Sequence, residues 1–225
     1  MGDVGAVIVA AGRSQRMGGV DKLFAPLAGR PLLAHTLQAL HDTPCIDRVV
    51  VAANERNIEA IGQLVRASGF ARVAAVVPGG ARRQDSVRAG LEALAGVELV
   101  AVHDGARPLV TPDLVARVVE AARAAGAAVC AIPVRDTVKE VDQAEVVRTL
   151  DRGRLWLAQT PQAFRFDLLL EAHRAFDGEA TDDAAMVEAL GHPVRVVEGD
   201  PHNVKVTTPE DLRLLESLIR LREGM

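Results

Sequence analysis

Three cations follow a buried-strand pattern near the start of the chain. The apolar run 7–11 ends at Gly12, and the residues after it include Arg13, Arg16 and Lys22. Small residues let a ligand approach the backbone closely, and exposed N–H groups can surround phosphate oxygens. Arg16 and Lys22 would add full charges to those backbone dipoles. This stretch predicts a site for a strongly anionic ligand, and the alternative is an ordinary strand-to-helix turn with solvated charges.

Two common phosphate loops are excluded in this stretch. Gly12 and Gly18 are not spaced as in the dinucleotide-binding G-x-G-x-x-G fingerprint. Lys22 is followed by Leu23, so the Gly-Lys-Ser/Thr ending of a P-loop is missing. We therefore expect a different type of phosphate loop.

Two further clusters follow predicted strands. Gly79 and Gly80 permit close approach to a planar ligand, and Ser86 offers a hydroxyl where a helix is predicted to start. The alternative there is a Gly-Gly turn with Ser86 as the helix cap. Asp104 ends another strand and is suited to a hard divalent cation that bridges phosphate oxygens. A capping or ion-paired aspartate is the alternative, and we interpret His103 as a packed or hydrogen-bonded residue.

Two weaker candidates lie further along the chain. Lys205 alternates with Val204 and Val206, which places it on the opposite face, where a lone lysine is usually solvated. Thr181 begins the segment 181–183, which also fits a plain helix N-cap with an acidic first turn. The strand ends thus supply cations, backbone donors and one carboxylate, without a Ser-His-Asp set, a cysteine nucleophile or a pair of acids. That inventory favours phosphoryl or nucleotidyl transfer, in which the protein positions the reactants and neutralises charge.

Apolar β-rich runs alternate with helical patterns through most of the chain. The predicted strands are 6–10, 48–53, 73–77, 99–103, 127–133 and 194–197, and the predicted helices are 32–40, 58–67, 86–95, 112–124 and 182–190. Thr111 and Thr208 each precede a proline and mark helix starts. The alternation predicts an α/β fold with a mostly parallel sheet and helices on both faces, whose ligands bind beyond the C-terminal ends of the strands.

The segment from 135 to 159 breaks this alternation. Short alternating strands are predicted at 137–141, 146–150 and 155–158, with a turn around 142–144. The pattern is typical of a hairpin that projects from the body of the domain. Because an isolated hairpin is marginally stable in water, it would pack either on a partner subunit or back on its own domain.

Composition limits the class of protein. The chain has 225 residues, 49% of them apolar and 25% charged, which is a soluble globular balance. A net charge of −4 argues against a general nucleic-acid surface. No apolar run reaches transmembrane length and no secretory signal is evident, so we expect a cytoplasmic protein. Cys45 and Cys130 are isolated, which fits a reducing compartment.

The motifs, taken in order, resemble a known family over essentially the whole chain. Residues 10–18 with Lys22 are similar to the signature of nucleotidyltransferases that act on nucleoside triphosphates. PGG at 78–80, VHDGARP at 102–108, PVRDT at 133–137, QTPQ at 159–162 and NVKVT at 203–207 narrow the resemblance. Together they resemble the 2-C-methyl-D-erythritol 4-phosphate cytidylyltransferase family. The first motif is shared with many relatives, whereas the ordered set of six is highly specific.

The resemblance implies a fold, a reaction and partners. The fold would be a single Rossmann-like domain over 1–225, with 135–159 as an extended β-arm that reaches into the partner's site in a homodimer. The reaction would transfer CMP from CTP to 2-C-methyl-D-erythritol 4-phosphate in the non-mevalonate isoprenoid pathway, without a covalent enzyme intermediate. Pyrophosphate would leave, and Mg²⁺ would be the cofactor.

The resemblance also implies roles for individual residues. Catalytic charge stabilisation is expected from Arg16, Lys22 and Lys205, and metal binding from Asp104. Nucleotide contacts are expected from Ala10, Ala11, Gly12, Gly80, Ser86 and Gly105. Acceptor contacts are expected from Thr137, Arg152, Arg107 and Thr181, of which the first two belong to the arm.

Two positions depart from the family pattern. Ser14 replaces a frequent glycine, and Ala81 stands where a polar side chain often contacts cytosine. Neither change removes a cation, so we expect activity to be retained. Two alternatives stay open: a cytidylyltransferase for another polyol phosphate, such as ribitol 5-phosphate, and a catalytically silent nucleotide-binding protein.

Overall fold

The structure is a computed structural model that describes residues 3–12 and 21–222. Arg13, Ser14 and Arg16, which contribute to the anion-loop prediction, lie outside the described residues.

Strands and helices alternate along the described chain. The strands are β1 (Val4–Ala10), β2 (Pro26–Leu27), β3 (Arg30–Pro31), β4 (Arg48–Ala53), β5 (Val73–Pro78), β6 (Leu99–Asp104), β7 (Ala127–Pro133), β8 (Lys139–Asp142), β9 (Glu145–Thr149), β10 (Trp156–Arg165) and β11 (Arg195–Glu198). The helices are α1 (Leu32–His41), α2 (Ile58–Ser68), α3 (Arg83–Ala93), α4 (Pro112–Ala125), α5 (Phe166–Ala175), α6 (Asp183–Ala189) and α7 (Pro209–Arg222). Short 3₁₀ turns lie at Glu55–Asn57 and Arg152–Arg154.

The main sheet of the described residues has seven strands in the order β11-β7-β10-β6-β1-β4-β5. Neighbouring strands are parallel except for β10, which runs antiparallel to both β6 and β7. The predicted mostly parallel α/β sheet is therefore confirmed, with one antiparallel strand in its interior. The third short strand predicted in the projecting segment, 155–158, corresponds instead to the beginning of β10, where Leu157 pairs with Ile132 of β7.

Helices cover both faces of the sheet, as predicted. Alternate residues of a strand point to opposite faces, so Ile8 of β1 packs in one buried cluster and Val7 in another. The cluster around Ile8 includes residues of α1, α2 and α4, and the cluster around Val7 includes residues of α3, α5 and α6. A third, smaller cluster joins α7 to the segment around Leu27 and Val206. Helix α5 was not predicted.

The start of α4 follows the predicted threonine capping, and the start of α7 is held by an acid of its first turn. The Thr111 hydroxyl accepts a hydrogen bond from the Leu114 backbone N–H at 3.2 Å, and Pro112 is the first residue of α4. At α7 the Asp211 carboxylate accepts the Thr208 backbone N–H at 2.9 Å, so the first-turn acid caps the helix.

The predicted hairpin is formed by β8 and β9, which make a separate two-stranded antiparallel sheet. Gln143 and Ala144 form its tip with φ of 45° and 68°, the left-handed pair that a tight mirror-type hairpin turn requires. Every residue of both strands is exposed, including Val141, Val146 and Val147. Among the described residues, this hairpin therefore does not fold back onto the body of its own chain. None of the helices in the described part of the chain is long and apolar enough to cross a membrane.

Candidate active site

An open cavity of about 180 Å³ lies beyond the C-terminal ends of the central strands. Its lining residues come from five separate stretches of the chain: Val9, Ala10, Ala11, Gly12; Lys22, Leu23; Gly80, Ala81, Arg82, Arg83, Ser86; Asp104, Ala106; and Lys205. The cavity thus brings together two lysines, most of the small residues and the acid that were predicted separately. It lies where ligands bind in parallel α/β sheets.

Asp104 ends β6 and is surrounded by positive charge. Its carboxylate is 2.8 Å from Lys205 Nζ, 3.4 Å from Arg107 Nε and 3.5 Å from Arg83 Nε. Burial by itself would raise the pKa of this carboxyl, but the charges of Lys205, Arg83 and Arg107 outweigh it and hold the pKa well below its usual value. Asp104 is therefore ionised at neutral pH, and the ion-paired alternative describes its contacts correctly.

The two lysines of the cavity have different partners. The Lys22 Nζ donates a hydrogen bond to the Val206 carbonyl at 3.0 Å, which ties the start of the chain to the segment before α7. Lys205 lies one residue before Val206 and pairs with Asp104, so it is not the solvated lysine of the alternative interpretation. Both ammonium groups lie at the wall of one cavity because Val206 holds these segments together.

The loop after β5 lies very close to Ala11, the residue that follows β1. A Cβ added at Gly79 would lie 2.5 Å from the Ala11 Cβ and 2.7 Å from the Ser86 Oγ, so a side chain does not fit there. The Ser86 hydroxyl accepts a hydrogen bond from the Gly80 backbone N–H at 3.1 Å. The prediction that α3 starts at Ser86 was wrong: α3 begins at Arg83, because the Asp85 side chain accepts the Arg82 backbone N–H and caps the helix earlier.

Thr160 forms a hydrogen bond with the backbone of Asp104 and also contacts the His103 ring. The Thr160 hydroxyl accepts the Asp104 backbone N–H at 3.0 Å and is 3.1 Å from His103 Nδ1. Burial lowers the pKa of His103 to about 4, so its ring is neutral at physiological pH. The prediction of a packed, hydrogen-bonded histidine is confirmed.

The sequence analysis did not predict the buried ion pair between Arg83 and Asp183, which lies behind the cavity. Arg83 lies 2.6 Å from Asp183, the first residue of α6, and Asp183 is fully buried. Burial by itself would raise the pKa of Asp183, but the Arg83 charge and the His173 hydrogen bond outweigh it and hold the pKa below its usual value. The signal in the sequence is the arginine pair 82–83, which follows the two glycines of this strand-end loop after one alanine. The prediction of an N-cap before α6 is confirmed, with Asp182 as the capping residue.

The polar motif at 159–162 also has structural partners. Gln162 accepts hydrogen bonds from the backbone N–H groups of Asp183 and Ala184, both at 3.1 Å. The Asn203 side-chain amide donates to the Thr160 carbonyl at 2.8 Å. These contacts attach the start of α6 and the lysine-bearing segment to the middle of the sheet.

The remaining predicted residues are not at the cavity wall. Gly105 packs under the wall, where its backbone N–H donates to the Val9 carbonyl at 2.9 Å. Arg107 lies behind Asp104 and donates to the Asn203 carbonyl at 2.7 Å. Thr137, Arg152 and Thr181 are exposed: Thr137 precedes β8, Arg152 begins the 3₁₀ turn after β9, and Thr181 precedes α6. Their roles stay predictions.

The donor set of the cavity fits a divalent cation held together with a substrate. Within residues 3–12 and 21–222, no group of three or more histidine, cysteine or acidic side chains could hold a metal ion. Asp104 offers an ionised carboxylate at the cavity wall, and hard cations complete their oxygen shells with substrate phosphates and water. A cation that binds with a triphosphate is compatible with this arrangement.

A mostly parallel α/β sheet with lysines, small residues and one carboxylate around a cavity beyond its strand ends fits the class of nucleotidyltransferases. A sequence model of the 2-C-methyl-D-erythritol 4-phosphate cytidylyltransferase family matches residues 4–221. The chain belongs to this family.

Relatives of that name are similar along almost the entire chain. The protein from Dehalococcoides mccartyi strain CBDB1 is 48% identical over 218 residues, which cover 96% of each chain. The one from Pelotomaculum thermopropionicum is 49% identical over 232 residues, covering 100% of this chain and 97% of that one.

Solved structures agree with the fold. The 2-C-methyl-D-erythritol 4-phosphate cytidylyltransferase of Thermus thermophilus is 41% identical with a TM-score of 0.79, covering 95% of this chain and 98% of that one. The 4-diphosphocytidyl-2C-methyl-D-erythritol synthase of Anaerococcus prevotii is 29% identical with a TM-score of 0.86, covering 97% and 98%.

Proposed function

We propose that this protein transfers CMP from CTP to 2-C-methyl-D-erythritol 4-phosphate, giving 4-diphosphocytidyl-2-C-methyl-D-erythritol and pyrophosphate in the non-mevalonate isoprenoid pathway. The observation that carries the proposal is the meeting of Lys22, Lys205 and Asp104 at one cavity, in a chain of this family. Cations from distant segments around a buried carboxylate suit a polyphosphate better than any other ligand class.

In the reaction, an oxygen of the acceptor phosphate attacks the α-phosphorus of CTP in line with the leaving group. A new P–O bond forms while the bond from the α-phosphorus to the bridging oxygen breaks, and pyrophosphate leaves with the electron pair. Lys22 stabilises the charge that develops on the phosphate oxygens, and Lys205 contacts the α-phosphate. Arg16, which lies outside the described residues, joins Lys22 on the triphosphate.

The nucleotide binds against the small residues of the cavity. Its cytosine and ribose contact Ala10, Ala11, Gly12, Gly80, Ser86 and Gly105. The first five of these line the cavity, and Gly105 packs directly beneath it. Because Ala81 at the same wall has no polar side chain, selection of cytosine rests on backbone groups and on Ser86.

Asp104 holds the cofactor, which we propose is Mg²⁺. When bound, Mg²⁺ neutralises charge on the phosphate oxygens of the substrate. The contribution of this chain is an ionised carboxylate that is paired with the Arg107 guanidinium, on a residue whose backbone N–H is bound by the Thr160 hydroxyl.

The acceptor phosphate is bound by Arg107, Thr181, and by Thr137 and Arg152 of a second copy of the chain. A homodimer is supported by the exposed hairpin, whose Val141, Val146 and Val147 side chains are 54%, 59% and 59% exposed. Burial of such side chains in an interface is favourable. Residues 1–225 then act as a single cytidylyltransferase domain with 135–159 as its extended arm.

A cytoplasmic location is part of the proposal. Cys45 and Cys130 are free thiols, as is usual for proteins in a reducing compartment.

The test is release of pyrophosphate from CTP and Mg²⁺ by the purified protein with either of two acceptors. We expect turnover with 2-C-methyl-D-erythritol 4-phosphate and little with ribitol 5-phosphate. Turnover restricted to ribitol 5-phosphate would assign another polyol phosphate as substrate. CTP binding without turnover of either acceptor would identify a silent nucleotide-binding protein.

A further inference from the structure

One glutamine at the start of α3 binds the backbone of the segment before α6. The Gln84 side-chain amide donates to the Gly178 carbonyl at 2.9 Å and accepts the Ala180 backbone N–H at 3.1 Å. Gln84 is buried, with 8% of its surface exposed. The Gly178 carbonyl also accepts a bond from Arg82 at 3.3 Å, whereas the Ala180 N–H is bound by Gln84. One amide group thereby pairs with this backbone as a neighbouring strand would.

The same segment is held at its other end by the buried ion pair. Arg83 reaches Asp183 at 2.6 Å, and His173 contacts the second oxygen of that carboxylate at 3.1 Å. Thr181 therefore lies between two residues that α3 holds in place. Gln84 binds Ala180, and the preceding residue of the helix, Arg83, binds Asp183.

Gln84 and Arg83 face different surroundings. Arg83 lines the cavity and also contacts Asp104 at 3.5 Å. Gln84 is not among the described residues that line the cavity. A continuous set of contacts thus leads from the nucleotide cavity through the first turn of α3 to the segment that contains Thr181. Gln84 contacts this segment but does not line the cavity.

We propose that Gln84 is a positioning residue for the acceptor: it sets the place of Thr181 relative to the nucleotide cavity without touching either substrate. The inference rests on the proposed function, which assigns Thr181 to the acceptor phosphate. Although Gln84 neighbours the nucleotide loop in the sequence, its loss affects the acceptor and not CTP.

The variant for the test is Gln84→Met, which keeps the side-chain length and removes both hydrogen bonds. We expect the KM for 2-C-methyl-D-erythritol 4-phosphate to rise about three- to tenfold, because Thr181 is displaced while every group that contacts the acceptor is kept. The Kd for CTP, measured by calorimetry with Mg²⁺ and without acceptor, stays within about twofold of the wild-type value. Arg88→Met is the matched control, because Arg88 is exposed on the same helix and pairs with Glu92 at 3.3 Å. It should leave both constants unchanged.

Two further readouts separate positioning from a merely structural role. Hydrogen exchange at the Ala180 amide should be faster in Gln84→Met and unchanged in Arg88→Met, since only the first variant removes its acceptor. In a double-mutant cycle with Thr181→Val, the KM of the double variant should not exceed that of Thr181→Val alone.

Three results would overturn the inference: an unchanged acceptor KM with faster exchange at Ala180, a parallel loss of CTP affinity, or additive effects in the cycle. Wild-type protein that does not use this acceptor would overturn the proposed function and the inference together. If the wild-type enzyme uses this acceptor and the Gln84→Met variant has the same acceptor KM, the inference is overturned and the proposed function is not.

Discussion

The carboxylate of Asp104 lies among more positive charge than it can neutralise. Lys205, Arg107 and Arg83 all lie within 3.5 Å of it, and Lys22 lines the same cavity. Arg83 is also paired with Asp183, whereas Lys205 and Arg107 both pair with the single charge of Asp104. A site with this balance is prepared for a polyanion before the polyanion arrives, which reduces the reorganisation that the reaction requires.

Lys22→Ala tests the triphosphate role of this excess charge. We expect kcat to fall by roughly 10²-fold or more, the loss typical for one preorganised charge donor. Steady-state pyrophosphate release measures the effect, with Arg213→Ala as control because that guanidinium is exposed on α7. Near-normal turnover of Lys22→Ala would place the triphosphate elsewhere.

Cys130 lies on β7, and burial raises the pKa of its thiol to about 12. At pH 8 the reactive thiolate is then only about one molecule in ten thousand. In a Cys45→Ser variant, we expect an aromatic disulfide reagent to leave Cys130 unmodified in the native protein and to modify it fully in guanidinium chloride. Fast reaction under native conditions would contradict the buried placement.

At the scale of elements, the first turn of α3 is the central connector. Its consecutive residues cap the helix, line the cavity, pair with Asp183 and bind the backbone at Gly178 and Ala180. Gly90, in a later turn, packs against Val7 of the sheet instead. A short helix end thereby links β5, β6 and α6 into one rigid arrangement.

Asp183→Asn tests the strength of this link. Removal of one partner from a buried ion pair leaves the other charge uncompensated, so we expect the free energy of unfolding at pH 7 to fall by about 3 kcal/mol. Urea titration measures the change. Asp113→Asn is the control, because the Asp113 side chain is 79% exposed and its loss should matter little.

The same pair predicts a dependence on pH. The pKa of Asp183 is lowered in the folded state, so its stabilisation is fully present above the unfolded pKa of about 3.9 and is lost as the pH falls through the folded value. The difference in the free energy of unfolding between wild type and Asp183→Asn should therefore become smaller only at acid pH. A difference that stays constant down to about pH 3 would contradict this account.

At the scale of the whole molecule, the hairpin of β8 and β9 is the element without an intramolecular partner surface among the described residues. All nine of its residues in the two strands are exposed, and its nearest attachment to the body is through β7 and β10. An isolated two-stranded hairpin is only marginally stable in water, so we expect another surface to pack against it. In the proposed homodimer, a second copy of the protein supplies this surface.

Arg152→Ala tests whether the arm serves the partner's site. We expect it chiefly to raise the acceptor KM. Mixed dimers that combine Arg152→Ala with Lys22→Ala should regain about one working site each, because one nucleotide cavity and the opposite arm are intact. Mixtures that stay inactive, although native mass spectrometry shows heterodimers, would exclude sharing of the arm.

Much of the sheet could be predicted because its strands are continuous apolar runs. The bounds of β4 and β7 agree with the prediction, since both are buried and end in clear turn residues. Strand β10 could not be predicted at full length, because the polar residues 159–162 interrupt its apolar pattern. Their hydrogen bonds to α6 and to Asn203 satisfy these groups only in the folded chain. Helix α5 follows β10 without a loop residue, so the change of periodicity is not marked.

The sequence by itself determined the chemistry: cations, small residues and a carboxylate each follow a strand, and the ends of parallel strands meet at one edge. Family resemblance then determined the reaction. Only the tertiary structure decided how Arg83 and Gln84 connect the cavity at the strand ends to the segment around Thr181, because their partners lie 94 to 100 residues away along the chain. Contacts across such separations depend on how helices pack against the sheet, which no local pattern specifies.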